Sequence, residues 1–374
     1  MRIFQTIHKY PPHIPIFEKK YGITDSSGHS FAQLQQLIIQ NGYASSYILL
    51  PAIEGKTDEV FFTIWNYERM QYAWAKEHGM TTADLGEIKR AQIEWYNPDV
   101  FYDFSAMKDI DFLTKFPIDK KIIKVCWYGI IRDEPWLFPE YNIRITLHKP
   151  YVKQWQNKGY IAHEMQPAFV DNWKQYNTDK KEIDILFYGQ YLYKEFSNRS
   201  YFMEKLLEVS TQKTSLNIEV HLQMPNPTLV PRKWMDISLP FLKKKFPSDR
   251  VQELAMPPLY GEDLYETIGK SKFVLNAYTN YNKEYKSNMR LFESLGCGSL
   301  LISENGNYPK GFSANENFIP YDLSESKRLF SNLESIVSNY SSLAQTMQPH
   351  IASVQHTYSK VAQLEDFKRI VEGV

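Results

Sequence analysis

The chain has 374 residues, of which 43% are hydrophobic and 23% are charged, and 43 basic residues balance 43 acidic ones. This length exceeds what one hydrophobic core usually holds, and this composition excludes an intrinsically disordered chain, so we expect two globular domains. The net charge of zero argues against a protein that binds nucleic acid through its overall charge, and we predict no nucleic-acid partner.

In the first half of the chain, short apolar runs alternate with segments of helical periodicity, which is typical of a parallel α/β sheet. Strands are predicted near residues 2–7, 47–50, 100–104, 122–127, 143–147 and 161–165. Helices are predicted near residues 31–41, 65–77 and 148–158. The first helix is expected to take its N-cap from Ser26, Ser27 or Gly28. These elements form one unit.

A polar stretch with weak periodicity, residues 166–181, predicts a linker. After it the alternation of strands and helices begins again. Strands are predicted near residues 183–188, 216–221, 273–276 and 299–302, and helices after residue 197 and over residues 262–271. From residue 324 the pattern is helical almost to the end of the chain. The second half therefore predicts another α/β unit with a helical tail.

The most informative stretch is residues 287–302, SNMRLFESLGCGSLLI. On a helical wheel its apolar residues fill one arc, while Arg290 and Glu293 lie on the opposite one. Gly296 suits the left-handed residue that ends a helix, and the apolar run after Gly298 predicts a strand. One short helix thus presents a cation and a carboxylate one turn apart. Periodicity alone favours a surface ion pair between them.

The run RLFESLGCG, residues 290–298, resembles the donor-site helix of GT-B glycosyltransferases of the group 1 type, especially the spore-maturation (CgeB-like) branch. Residues 184–189 and the tripeptide at 356–358 resemble further segments of these enzymes. The resemblance implies an α/β fold of two Rossmann-like domains that face each other across a cleft, with a C-terminal helix that crosses back to the first domain. The implied domains are an acceptor domain, residues 1–168 with the helix 357–374, and a nucleotide-sugar donor domain, residues 182–356.

Open parallel sheets bind ligands beyond the carboxyl ends of their strands, so donor contacts should follow strands. Gly189 and Gln190 come after a predicted strand, and a glycine there lets backbone N–H groups approach a phosphate. Arg199 can neutralise a diphosphate leaving group, and the alternative is a surface position on an exposed helix. Ser287 and Asn288 begin the motif helix, whose positive N-terminus suits a diphosphate.

The resemblance implies that Glu293 grips the ribose hydroxyls of the nucleotide-sugar and that Arg290 faces its phosphates, so we count Arg290 among the catalytic candidates. Many related enzymes carry a second glutamate eight residues before the ribose-binding one. Here that position is Tyr285, and Glu284 is one place away. We therefore assign no catalytic role to Glu284.

In the first half, residues 25–29, DSSGH, are predicted to fill the turn between the first strand and the first helix. GT-B enzymes use this turn to face the donor phosphates and the reacting sugar. Gly28 is predicted to allow close backbone approach, and His29 to act as a base or a hydrogen-bond donor, with Asp25 as a rival base. The alternative is that His29 and Ser30 only cap the helix.

Metal and membrane signals are weak in this sequence. Cys126 and Cys297 lie far apart and fit no metal-binding spacing, so we predict a reduced, cytoplasmic protein. The Asp-Ile-Asp triplet at residues 109–111 matches a metal motif of a different glycosyltransferase fold, but nothing around it resembles that fold. No run approaches the roughly 18 apolar residues that cross a bilayer. The lysine run at residues 243–245 leaves at most peripheral membrane contact.

These observations predict a metal-independent glycosyltransferase without a further cofactor, acting in bacterial surface or secondary glycan synthesis. It would move a sugar from a nucleotide-diphosphate-sugar, with a UDP-sugar expected, onto a glycan or small-molecule acceptor. Two alternatives stay open: a nucleotide-sugar epimerase or hydrolase of the same fold, and a non-catalytic nucleotide-sugar-binding partner. His29 and Asp25 also leave both retention and inversion of the anomeric configuration open.

Overall fold

The structure is a computed structural model that describes residues 1–130, 134–191, 197–212, 215–224, 247–279 and 284–373. The lysine run at residues 243–245 lies outside these ranges. The chain divides into two compact units, which are Met1–Ala168 with Tyr358–Val374, and Phe169–Thr357. Each unit is built on one parallel β-sheet, so the predicted α/β class is confirmed.

The first unit contains β1 (Ile3–Ile7), β2 (Val60–Ile64), β3 (Val100–Asp103), β4 (Ile123–Trp127), β5 (Ile143–Thr146) and β6 (Ile161–Glu164). Its helices before the second unit are α1 (His13–Tyr21), α2 (Phe31–Asn41), α3 (Leu50–Ile53), α4 (Glu68–Glu77), α5 (Leu85–Tyr96), α6 (Phe112–Lys115) and α7 (Lys149–Asn157). The strands are parallel, in the order β2-β1-β3-β4-β5-β6. Every residue of β1, β2, β3 and β5 is buried, as expected of a parallel sheet that is covered on both faces.

The second unit contains β7 (Ile183–Gln190), β8 (Ile218–Gln223), β9 (Ser271–Asn276), β10 (Leu300–Glu304) and β11 (Ile319–Tyr321). Its described helices are α8 (Ser197–Ser210), α9 (Asp249–Leu254), α10 (Gly261–Gly269), α11 (Met289–Gly296), α12 (Ser326–Ser338) and α13 (Tyr340–Thr357). The strands are parallel, in the order β11-β10-β9-β7-β8. The predicted motif helix is α11, and the predicted strand after it is β10. The short edge strand β11 was not predicted.

The last helix of the chain, α14 (Lys360–Glu372), belongs to the first unit, as the resemblance implied. The ring of Phe367 lies 4.7 Å from the ring of Tyr102 in β3, measured between centroids. The Nζ atom of Lys360 donates to the backbone oxygen of Ser45 at 3.0 Å. An aromatic contact and a buried hydrogen bond therefore attach this helix to the N-terminal part of the first unit.

Two expectations for the first unit are wrong. The apolar residues 47–50 do not form a strand. Residues 47–49 form a turn and irregular backbone, which the side chain of Gln5 bonds at Tyr47 and Leu49 in place of a sheet partner, and Leu50 begins α3. The strand beside β1 is β2 instead. In addition, α1 lies between β1 and the helix that was predicted to come first. It begins directly after Pro12, a residue type that favours a helix start.

The predicted N-cap of α2 is also wrong. Ser30, not a residue of the 26–28 turn, caps the helix, because its hydroxyl accepts from the backbone N–H of Gln33. The Gln33 side chain in turn accepts from the backbone N–H of Ser30, which completes a capping box. This confirms the alternative in which Ser30 caps the helix.

The predicted linker carries structure of its own. Residues Asp171–Tyr176 form a 3₁₀-helix, and Trp173 is buried against Tyr265 with ring centroids 5.3 Å apart. A Cβ atom on Gly296 would lie 2.4 Å from this indole, so the glycine admits the tryptophan. The left-handed residue after α11 is Gly298, with φ of 83°, and not Gly296. The polar neighbours of Trp173 hid this packing from the sequence pattern.

Candidate functional site

Two arginines of the second unit lie against the same glycine near the carboxyl end of β7. Arg199 is on α8 and Arg290 is on α11, and both side chains are buried. A Cβ atom added to Gly189 would lie 1.9 Å from Nη2 of Arg199 and 2.9 Å from Nη2 of Arg290. The missing side chain of Gly189 thus makes room for two guanidinium groups. The surface alternative for Arg199 is wrong.

The guanidinium of Arg290 is held by neutral oxygen atoms. Its Nη1 donates to Oδ1 of Asn276 at 2.8 Å, and its Nη2 donates to the backbone oxygen of Tyr188. Its Cζ atom lies 5.2 Å from the ring centroid of Phe187 and 4.8 Å from that of Tyr188. Within the described residues, no carboxylate oxygen lies within 4.0 Å of this guanidinium. The positive charge of Arg290 is therefore oriented but not neutralised.

The charged form of the neighbouring Arg199 is destabilised by burial and by the adjacent cation. The pKa of Arg199 is lowered from 12.5 to about 9, chiefly by burial and in addition by the positive charge of Arg290. Tyr321 and Glu304 act in the opposite direction. A buried pair of like charges is unfavourable by itself and becomes favourable when an anion binds between or beside them. This part of the second unit can therefore bind a strongly negative group such as a diphosphate.

Glu293 is buried beside this arginine pair. Its Oε2 accepts a hydrogen bond from the hydroxyl of Tyr188 at 2.8 Å. Burial raises the pKa of Glu293, while the Tyr188 hydrogen bond and the charge of Arg290 partly offset that effect. The surface ion pair that periodicity favoured is wrong, because both charged side chains of α11 are buried. The carboxylate keeps accepting capacity on its other oxygen, which a hydroxyl-rich ligand can use.

The remaining donor-site candidates line the start of α11 and the end of β7. Asn288 is the N-cap of α11, since its Oδ1 accepts from the backbone N–H of Leu291 at 3.1 Å. Its Nδ2 donates to Oδ1 of Asn276 at 2.9 Å, which ties the cap to β9. Ser287 precedes the cap and is buried. Gln190 is the last residue of β7 and is half-buried.

A buried ion pair near these residues was not predicted. Nζ of Lys286 lies 2.9 Å from Oε2 of Glu304, and both side chains are less than 10% exposed. The other oxygen of Glu304 accepts from the backbone N–H of Tyr278 at 2.6 Å. One carboxylate at the end of β10 thus holds both ends of the connection from β9 to α11. The sequence signal was only the position of Glu304 directly after a predicted strand.

The candidates of the first unit lie in the loop that follows α1. They were predicted directly after β1, since the sequence pattern did not indicate α1. The side chain of Asp25 is 97% exposed and pairs with Nη1 of Arg69 at 2.5 Å. Nδ1 of His29 lies 2.7 Å from the hydroxyl oxygen of Ser27. Gly28 has φ of 63° and open space around its Cα atom. The structure places these candidates in one exposed turn, and their catalytic roles stay predictions.

Aromatic side chains follow four neighbouring strands of the first unit at their carboxyl ends. His8 follows β1 and Trp65 follows β2, with ring centroids 5.6 Å apart. Phe104 follows β3 and stacks on Trp127, the last residue of β4, at 4.3 Å and 20°. All four side chains are half-buried. We call these four residues the aromatic edge, and it lies where parallel sheets bind their ligands.

Metal and membrane features can be stated for the described ranges. Asp109 pairs with the buried Lys89 at 3.1 Å, and Asp111 pairs with Lys115 at 3.4 Å. Among these residues no group of three His, Cys, Asp or Glu side chains is placed to hold a metal ion. In the same part of the chain, no helix combines the length and the apolar character that crossing a bilayer requires.

Comparison with known proteins agrees with this geometry. A glycosyl transferase-like family model matches residues 227–364, which include α11 and are less than half of the chain. No curated protein matches the chain. Among solved structures, Anabaena Alr3699/HepE in complex with UDP-glucose has a TM-score of 0.57 at 10% identity, over 100% of both chains.

Two further solved structures have the same fold. A glycosyltransferase from Rickettsia africae ESF-5 has a TM-score of 0.51 at 11% identity, over 100% of this chain and 99% of that one. An alpha-glucosyltransferase in complex with UDP and a 13-mer DNA containing an HMU base has a TM-score of 0.52 at 15% identity, over 99% of both chains. These likenesses confirm the GT-B fold with its two Rossmann-like domains. The predicted enzyme class, a glycosyltransferase, agrees with the family match over residues 227–364.

Proposed function

We propose that this glycosyltransferase moves a sugar from a nucleoside diphosphate donor, with a UDP-sugar as the expected one, onto a carbohydrate acceptor. The observation that carries the proposal is the buried pair of guanidinium groups, Arg199 and Arg290, against Gly189. Two adjacent cations are suited to the diphosphate that leaves during transfer. Solved structures of the same fold contain UDP or UDP-glucose, which supports the choice of donor.

In the proposed reaction, the bond between the anomeric carbon and the diphosphate oxygen breaks, and a new bond forms to an acceptor hydroxyl oxygen. Negative charge develops on the departing diphosphate, and the two guanidinium groups stabilise it, together with the N–H groups at the start of α11. Because this charge stabilisation comes from side chains and backbone, the proposal includes no metal ion. Metal independence is part of what must be tested.

Glu293 is proposed to bind the ribose of the donor. Its Oε2 is bonded to Tyr188, so the other oxygen is the one expected to accept from a ribose hydroxyl. This contact fixes the nucleoside. The phosphates are held by Arg290, one turn away on the same helix, and by Arg199 on α8. Ser287 and Gln190 remain proposed donor contacts at the ends of their elements.

The aromatic edge of the first unit supports a carbohydrate acceptor. Sugar rings present C–H faces that pack on aromatic rings, and Trp127 with Phe104 forms a stacked pair at the carboxyl end of the sheet. His29 is proposed to take the proton of the acceptor hydroxyl, with Asp25 as the alternative base. Retention and inversion of configuration both remain compatible with these two groups.

The donor half of the proposal is tested by thermal unfolding in the presence of UDP, UDP-glucose, GDP and ADP. A ligand at 100 times its dissociation constant stabilises the protein by about 2.7 kcal/mol, and we expect UDP and UDP-glucose to raise the melting temperature. Glu293→Gln and Arg290→Lys should reduce this increase while leaving the unliganded protein folded. The matched control is Glu182→Gln, which changes an exposed carboxylate of the same unit.

The proposal is contradicted when no nucleotide stabilises the protein, or when both site variants respond like the control. Addition of EDTA during transfer tests metal independence. Rapid loss of UDP-glucose without any acceptor would favour the epimerase or hydrolase alternative. Tight binding of UDP-glucose with neither breakdown nor transfer would favour a non-catalytic binding partner.

The acceptor half is tested with radiolabelled UDP-glucose and a panel of oligosaccharides. Trp127→Ala should raise the KM for the acceptor about tenfold, because a stacking contact of this size contributes on the order of 1–2 kcal/mol. The KM for UDP-glucose should not change. Trp95→Ala is the control, since this indole is 57% exposed and lies outside the aromatic edge.

Cellular role and branch membership are also part of the proposal. Both cysteines are buried and free, which suits a reducing cytoplasm. The motif of α11 supports a relation to the spore-maturation branch and hence a role in bacterial surface or secondary glycans. Transfer of label to a cell-envelope glycan fraction would support that role.

A further inference from the structure

One residue that the sequence did not single out contacts both charged groups of α11. Tyr188 is the residue before Gly189 in β7 and is buried. Its hydroxyl donates to Oε2 of Glu293 at 2.8 Å. Its backbone oxygen accepts from Nη2 of Arg290, and its ring lies 4.8 Å from the Cζ atom of that arginine. The carboxylate and the guanidinium are therefore both held by the same residue.

We propose that Tyr188 is a positioning residue for donor binding, whose hydroxyl orients Glu293 toward the ribose while its backbone oxygen orients Arg290 toward the phosphates. This inference rests on the proposed function, since it assigns Glu293 to the ribose. The hydroxyl occupies one oxygen of the carboxylate and leaves the other for the ligand. A carboxylate without this hydrogen bond would rotate freely about its last side-chain torsion, and its contact with the ribose would weaken.

The two contacts of Tyr188 can be separated by substitution. Tyr188→Phe removes the hydroxyl that holds Glu293, but it keeps the ring and the backbone oxygen that hold Arg290. The substitution should therefore weaken the contact with the ribose and leave the contact with the phosphates unchanged. A residue with only a structural role would weaken both contacts together.

The chain also offers a matched control. The hydroxyl of Tyr191 donates to Oε1 of Glu204 at 2.7 Å, and this tyrosine is also buried. Tyr191→Phe thus removes the same kind of hydrogen bond from a tyrosine three residues further along the chain. It does so without touching Glu293 or Arg290, so it measures the general cost of a lost tyrosine hydroxyl.

The experiment measures the dissociation constants of UDP and of inorganic diphosphate by calorimetry for the wild type and both variants. Tyr188→Phe should weaken UDP binding about tenfold, as expected when a hydrogen bond to a charged group is lost. It should leave binding of inorganic diphosphate unchanged, because that probe lacks a ribose. Tyr191→Phe should bind both probes like the wild type.

A second measurement follows UDP affinity from pH 8 down to pH 5. The titratable groups near the Glu293 carboxyl are Tyr188 on β7, and Arg290 and Cys297 at either end of α11, with Lys181 beyond Cys297. Because the Tyr188 hydrogen bond lowers the pKa of Glu293, its loss should raise that pKa. The affinity of Tyr188→Phe should therefore fall at a higher pH than that of the wild type.

Each result decides between the possibilities. When the wild type binds UDP, and Tyr188→Phe binds it equally well with the same pH dependence, the positioning role is overturned and the proposed function stands. Equal weakening toward UDP and inorganic diphosphate also overturns it, because the defect is then structural. When the wild type binds no UDP at all, the proposed function fails, and the role of Tyr188 fails with it.

Discussion

Arg199 and Arg290 reach the same glycine from two different helices. The Nη2 atoms of both side chains lie within 3 Å of the position that a Cβ atom on Gly189 would occupy. Like charges this close are held together only when the packing of the surrounding residues fixes them. The second unit therefore holds two buried like charges side by side.

Gly189→Ala should disable donor binding. The new methyl group would lie 1.9 Å from Nη2 of Arg199, so this guanidinium must move. We expect the dissociation constant of UDP, measured by calorimetry, to rise at least about tenfold. Gly159→Ala is the control, because Gly189 and Gly159 both have positive φ, 153° and 82°, but a Cβ atom on Gly159 would have no other atom within 4 Å. Both variants share the strain of alanine at such φ, and an equal effect on UDP binding would contradict the prediction.

Arg199→Met should stabilise the unliganded protein while weakening UDP binding. Since burial and Arg290 lower the pKa of Arg199 to about 9, its positive charge costs on the order of a few kcal/mol in the folded state. Methionine fills similar space without that charge. Thermal unfolding should give a higher melting temperature than for the wild type without UDP and little further increase with UDP. A lower melting temperature without UDP would show that the arginine stabilises the fold.

The buried pair of Lys286 and Glu304 should be strongly coupled. Glu304→Gln removes the carboxylate that faces the buried ammonium group of Lys286, and we expect a loss of about 3 kcal/mol in the free energy of unfolding. Adding Lys286→Met should recover most of that loss, because the buried charge is then removed. Urea unfolding of the single and double variants forms a double-mutant cycle. Additive effects of the two changes would contradict the coupling.

Acid should destabilise the first unit through its buried histidines. Burial lowers the pKa of His8 to about 4, of His13 to about 3 and of His148 to about 4, all from an ordinary value of 6.5. The unfolded chain binds protons at these sites near pH 6.5 and the folded chain does not. The stability from these sites is therefore complete above pH 6.5 and is lost as the pH falls toward 4.

Urea unfolding at pH 7 and at pH 5 measures this effect. We expect a loss of roughly 1 kcal/mol or more per histidine at the lower pH. His13→Phe should reduce the pH dependence, since His13 already packs against the rings of Phe17 and Tyr43. His356→Gln, at an exposed position of the second unit, should not change it. An unchanged slope in His13→Phe would contradict the assignment.

Sequence patterns located most elements of the second unit, although they missed β11 and the 3₁₀-helix in the predicted linker. The strand before Gly189, the helix that carries Arg290 and Glu293 and the strand after it were each predicted close to their observed bounds, because their periodicities are strong and their ends are marked by glycine or asparagine. The family resemblance added the GT-B fold and the enzyme class. Local propensity and a short motif determine these features without long-range contacts.

The first unit shows where such patterns fail. Residues 47–50 are as apolar as a strand, but residues 47–49 form a turn and irregular backbone that two hydrogen bonds from the Gln5 side chain hold, and Leu50 begins α3. Helix α1 was missed because its start depends on Pro12 and its apolar face is short. As a result, Asp25, Gly28 and His29 follow α1 in the chain and do not directly follow β1 as predicted.

Local sequence patterns located the strands, helices and charged candidates of the second unit apart from β11. The tertiary structure alone decided that Arg199 meets Arg290, that Tyr188 holds Glu293 and that Glu304 pairs with Lys286. The members of each pair lie on different segments of the second unit, and the burial of their side chains depends on how those segments pack. A periodic pattern contains no information about such distances, so burial and charge pairing follow only from the folded chain.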